Sequence, residues 1–86
     1  MRIEHTLEMR GMPRRELENY FLGLGGKQDD GGVYRGPNWE VILSDERPCV
    51  LGVISIPATH VTFRVEENDW PKIVSAFRLR FLSAGG

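Results

Sequence analysis

The sequence predicts an α+β domain of order β-α-β-β-β-β-α, with one five-stranded antiparallel sheet and both helices packed on one face. Three observations point there. Residues 2–10 and 60–66 alternate apolar and polar side chains, the period-2 pattern of strands with one buried and one wet face. Residues 13–24 and 70–81 instead repeat apolar residues at spacings of three and four, the stripe of an amphipathic helix. The chain is 86 residues long and has no internal linker, which makes residues 1–86 a single domain with a thin core.

In the first strand Ile3, His5, Leu7 and Met9 share the buried face, and Arg2, Glu4, Thr6, Glu8 and Arg10 share the wet one. Pro13 suits the opening of a helix, where its missing N–H costs nothing, and Leu17, Tyr20, Phe21 and Leu24 form the stripe. Gly25 fits the left-handed residue just past the helix. Residues 25–32, Gly-Gly-Lys-Gln-Asp-Asp-Gly-Gly, contain no apolar side chain and are expected to be a mobile loop. A phosphate cradle there would need a following helix, whereas Val33-Tyr34-Arg35 reads as a strand and two aspartates oppose an anion. Gly36-Pro37-Asn38 turns the chain into Trp39–Leu43, with Trp39, Val41 and Leu43 on one face.

Residues 49–56 are apolar at nearly every position, which predicts a central strand covered on both faces. It is expected to pair with residues 60–66 across a turn at Pro57, with Gly52 facing the helices. Asn68 or Asp69 caps the last helix, Pro71 lies in its first turn, and Trp70, Ile73, Val74, Phe77 and Phe81 form its stripe, leaving Leu79 and Leu82 outside it.

Eleven basic and twelve acidic side chains leave a net charge of −1. No basic excess supports a nucleic-acid or membrane-surface role, so neither partner is expected. One cysteine, Cys49, excludes an internal disulfide and fits a reducing compartment. With no apolar leader and no long apolar run, a cytoplasmic location is expected.

Four stretches carry a family resemblance: Leu17-Glu18-Asn19-Tyr20, Leu24-Gly25-Gly26, Gly36-Pro37-Asn38-Trp39 and the run Phe77-Arg78-Leu79-Arg80-Phe81-Leu82. With the element order, they make the chain resemble one repeat of the TATA-box-binding-protein-like fold. More narrowly, it resembles the small domain of that fold appended to proteins related to the small subunit of molybdopterin synthase. The resemblance implies a fold and a pathway neighbourhood; it brings no catalytic residues. It does not imply DNA binding, because the wet face mixes Glu8, Glu40 and Arg64 where the DNA-gripping repeats are basic and aromatic. Separately, Gly85-Gly86 is similar to the end of the ubiquitin-like sulfur carriers, whose terminal glycine is adenylated and thiocarboxylated. That fold opens with a β-hairpin and closes with a strand, whereas here one strand opens the chain and a helix closes it, so a plain helix stop competes with the carrier reading.

His5, on the buried face, reads as a core histidine, and His60 lies on the wet face. The two are far apart in sequence and come with a single cysteine, so no metal spacing appears and neither metal nor cofactor is expected. Cys49 reads as a buried, inert thiol. Ser44, Ser55 and Thr62 would each need His60 as base. Arg64, Glu66 and Glu40 read as cross-strand ion pairs.

The functional expectation is a non-catalytic binding module. Its site is the sheet face away from the helices, at Ile42, Leu51, Val53, Thr62 and Arg64, and its partner is another protein or a second copy in a homodimer. An accessory or sulfur-carrier-like protein of molybdopterin and sulfur-transfer metabolism is the alternative. A small hydrolase or isomerase using His60 comes third.

Overall fold

Two strands set the frame. β1 (Arg2–Arg10) pairs antiparallel with β6 (Ile54–Glu66), Arg2 opposite Glu66 and Arg10 opposite Ala58. The computed structural model describes residues 1–85, the side chains of 30 and 82–85 excepted. Across β6 from β1 lies β4 (Trp39–Leu43), followed by β3 (Val33–Arg35) and β2 (Lys27–Gln28), in the order β1-β6-β4-β3-β2. β5 (Arg47–Leu51) pairs with the first half of β6.

The alternation decides which face is covered. Ile3, Leu7 and Met9 of β1 lie beside Val61, Phe63 and Val65 of β6, and beyond them come Val41 and Leu43 of β4 and Tyr34 of β3. Both helices pack on this face. α1 (Arg14–Gly23) contributes Leu17 and Phe21, and α2 (Trp70–Gly85) contributes Phe77 and Phe81. Phe21 and Phe77 stack at 5.8 Å, and each meets the Phe63 ring edge-on, at 5.9 and 5.1 Å. One aromatic layer thus ties both helices to the middle strand. Burial pushes the Tyr20 and Tyr34 hydroxyls up from their usual pKa, for Tyr34 with help from the neighbouring Glu18 carboxylate.

The helix ends follow their local chemistry. Pro13 precedes α1 and offers no side-chain cap. The Arg14 amide instead donates to Glu46 Oε1 at 2.8 Å, which sets a carboxylate at the positive end of the helix dipole. At the other end Gly25 has φ +88°, its amide donates to Leu22 O, and the Gly26 amide donates to Phe21 O. That is a Schellman stop, and it needs a residue without a Cβ at Gly25.

The structure corrects the sequence reading in three places. The sheet has six strands among the described residues, because Lys27 and Gln28, inside the expected loop, pair with Arg35 and Tyr34. No turn forms at Pro57, and residues 54–66 are one unbroken strand. The reversal lies at Gly52-Val53, where Gly52 has φ +63° and faces no helix. A glycine with positive φ followed by a residue with negative φ is the pattern of a type II′ hairpin turn. In consequence residues 49–56 are a hairpin, not a covered central strand, and most of it is exposed.

Between β4 and β5 the ladder carries a bulge. Leu43 faces Val61 and Arg47 faces Ala58, so residues 44–46 stand opposite Thr59 and His60 alone. Ser44 bridges the gap: its amide donates to His60 O, and its Oγ accepts from the His60 amide at 2.9 Å. The extra residue reverses the alternation, so that odd positions point to the helices in β4 and away from them in β5.

Candidate functional site

The sheet face away from the helices can be followed row by row from the register. The first row alternates charge across four strands: Glu4, Arg64, Glu40, Arg35. Arg64 donates to Glu4 at 2.8 Å and to Glu40 at 3.2 Å, and Arg35 reaches Glu40 at 2.8 Å and Asp29 at 3.2 Å. These carboxylates, Glu4 foremost, raise the pKa of Arg64 above its ordinary value. The expectation of cross-strand ion pairs thus describes Arg64 and Glu40. In the second row Thr6 and Thr62 share a hydroxyl hydrogen bond at 3.0 Å, with Ile42 and Val33 beyond. The third row sets Glu8 beside His60, 3.7 Å apart.

Past the third row β1 still accompanies β6 to Arg10 opposite Ala58, with the Gly11 amide donating to Pro57 O, and beyond that the β5–β6 hairpin continues alone as an arm. Its outward row on the same face holds Arg47 and Ala58, then Cys49 and Ile56, then Leu51 and Ile54. Val50 is 69% exposed, Leu51 50%, Val53 103% and Ile54 60%. Fully burying one such side chain is worth about 1.5–3 kcal/mol, so at these exposures covering the tip returns about 4–8 kcal/mol. Association costs about 4–15 kcal/mol, so one arm alone barely offsets it and two arms buried together do. Each strand of the arm carries one proline near its root. Two-residue hairpins begin with a hydrogen-bonded pair, here Leu51 and Ile54, which makes Pro48 opposite Pro57 a non-hydrogen-bonded pair. Each proline therefore stands where a strand would offer its N–H to a neighbour.

The bulge opens a hollow of about 440 Å³ at the root of the arm, lined by Glu8, Ser44, Asp45, Arg47, Pro48, Cys49, Ala58 and His60. Cys49 is a half-buried free thiol here, more accessible than the buried thiol expected. Arg10 is held protonated above its ordinary pKa, first by its hydrogen bond to Glu8, then by the Glu8 charge and Cys49. Ser44 meets the backbone of His60 and is no nucleophile paired to the imidazole. Among the described residues no three His, Cys, Asp or Glu side chains group at metal-binding distance. His5 is not enclosed as expected; it is exposed and stacks on Trp70 at 4.3 Å.

On the helix side a smaller cleft of about 250 Å³ separates α1 from α2, lined by Tyr20, Leu24, Trp39, Ile73 and Phe77 among others, with Lys72 beside it. The Trp39 indole lies against two glycines: a Cβ on Gly26 would come within 2.5 Å of it, and one on Gly36 would overlap it.

A family model described as archaeal MoaD-like protein matches residues 5–86. The chain belongs to that family. No curated protein matches it. In this archaeal MoaD-like chain the four stretches that carried the resemblance meet at one place, the cleft around Trp39: Tyr20, Leu24, Gly26, Gly36 and Phe77 all line it or touch the indole. They are packing residues, so the stretches that carried the resemblance serve the fold.

Of the five residues expected to bind a partner, the structure brings Ile42, Thr62 and Arg64 together on the body and places Leu51 and Val53 on the arm. The apolar centre expected from Ile42, Leu51 and Val53 is therefore split. Sequence reasoning missed Val50 and Ile54. The signal was present in Leu51-Gly52-Val53-Ile54, a Gly-X pair between two apolar flanks. Gly86, half of the proposed carrier ending, lies outside the described residues, as does the Leu82 side chain. No helix among the described residues is long and apolar enough to cross a membrane.

Proposed function

We propose that this archaeal MoaD-like chain is a protein-binding module whose docking element is the β5–β6 arm. Leu51 and Val53, joined by Ile54, make the contact; Val50 stands on the other face of the arm, and Ile42 and Thr62 lie further along the sheet, beyond the Glu8–His60 row. Arg64, held between two carboxylates, keeps the adjoining face polar and ordered, and those carboxylates leave it poorly placed to take a phosphate. One observation carries the reading: four large aliphatic side chains stand exposed on a projecting hairpin, while the neighbouring face is ion-paired. The test compares the proteins retained from native-host extract by wild type and by a Val53→Asp/Ile54→Asp variant. Retention is expected to fall about 100-fold, because two apolar anchors are lost, with stability changed by no more than about 0.5 kcal/mol. Equal retention would retire the arm as docking element.

The family match favours a second reading, an accessory or sulfur-carrier-like protein of molybdopterin and sulfur-transfer metabolism. It requires Gly86 to be the activated carboxyl terminus. Intact-protein mass spectrometry from the native host is expected to show a fraction heavier by the exchange of one oxygen for sulfur. That fraction should vanish when Gly86 is removed. A single unmodified mass under sulfur-replete growth would dispose of this reading.

A further inference from the structure

The arm carries a knob and a hollow on one face. Leu51 and Ile54 pair beside the turn, and Val53 stands at the tip. The five residues of β5 cover about 17 Å at roughly 3.3 Å per residue. At their root lies the hollow, with Pro48 and Ala58 beside Cys49 and with Glu8, Asp45, Arg47 and His60 around them.

We infer that the occupant of the arm is a second copy of this chain: two hairpins lie antiparallel, face on face, about a two-fold axis near Cys49 and Ile56, and each sets its tip in the other's hollow. The inference rests on reading the arm as the docking element and adds the identity of what docks. Knob and hollow share two strands and one face, so a single two-fold operation fills both hollows and closes the assembly. The charges around the root are balanced, Glu8 and Asp45 against Arg10 and Arg47. The root therefore meets a seated apolar tip with charges that compensate one another and not with a net charge. Pro48 removes an outward donor from the β5 edge and the Pro57 edge already meets the Gly11 amide, whereas stacking face on face needs no edge hydrogen bond. Two arms buried in one association also share one association cost.

Sedimentation equilibrium of the full chain, from about 1 μM to about 1 mM at low salt, reads the dimer constant directly. The wild type is expected to dimerise within that range. A Leu51→Asp/Ile54→Asp variant should dimerise at least about 100-fold more weakly. Arg47→Glu, an exposed substitution outside the core, should weaken the dimer about 10-fold by unbalancing the patch, and added salt should recover part of that loss. A dimer that ignores the two aspartates overturns the proposal, as does one lost to them yet indifferent to Arg47→Glu, because the tip is then not seated at the root. A wild type monomeric throughout overturns the second copy as occupant. It leaves the docking role of the arm to the host-extract comparison, where a different partner lost from the arm variant would sustain it.

Discussion

Replacing Phe77 with alanine is expected to cost about 3–5 kcal/mol of unfolding free energy. The side chain is fully enclosed and meets Phe21, Phe63, Phe81 and Tyr20 at ring distances between 4.9 and 5.8 Å. Among the described residues no other in α2 touches both α1 and the middle strand through so many rings, so the cavity would open where three elements meet. A domain of this length has about 4–13 kcal/mol of stability in total, so the loss is a large fraction of it. Urea unfolding checks this: the midpoint should fall sharply with little change in slope. A cost below 1 kcal/mol would mean that the aromatic layer is not what holds the helices to the sheet. Val53→Asp, on the arm, should leave the same curve within about 0.5 kcal/mol. The contrast separates the half of the molecule that makes the fold from the half that is free to bind.

That division explains what could be read from the chain. β1 and the body of β6 were legible because one face is core and the other water, so alternation marks both the element and its orientation. α1 and α2 were legible by their stripes, and Gly25 by the stop it makes. The arm was misread because its apolar residues do not report burial. A run such as Cys49–Ile56 normally means cover on both faces, and periodicity cannot distinguish a covered strand from a bare strand kept apolar for a partner. The bulge at 44–46 was invisible for another reason. It depends on Ser44 standing in for a ladder group at His60 and on Glu46 reaching the Arg14 amide, both contacts between residues distant in sequence. The shared sheet face of Ile42, Leu51, Thr62 and Arg64 was therefore legible, and the turn at Gly52 that carries Leu51 and Val53 away from the others was not foreseen.

The bulge also links the two halves. Without the extra residue, the alternation of β4 would continue into β5 and carry Leu51 to the helix side. With it, Glu46 caps α1, the hollow opens beside Ser44, and Leu51 and Ile54 join the face that carries Glu8 and His60. A local insertion that serves the folded body thus also orients the arm.

The second large effect is expected at Gly36. Its backbone does not lie in the left-handed region, so alanine is conformationally acceptable and only space is lacking. A Cβ there would overlap the Trp39 indole, which is also confined by Gly26 across the ring. The ring would have to shift from both glycines toward the cleft it lines, and Gly36→Ala should cost about 1–3 kcal/mol as an overpacking substitution. Trp39→Phe, with a smaller ring, should relieve the clash. In a double-mutant cycle the Gly36→Ala/Trp39→Phe protein is then expected to be more stable than the sum of the two single changes by about 1 kcal/mol or more. Gly11→Ala serves as the control: φ is +80° there and the space is open, so any cost comes from the backbone and should show no coupling to Trp39. Strict additivity at Gly36 would show that the indole moves freely, and the glycines flanking Trp39 would then need a reason other than making room for it.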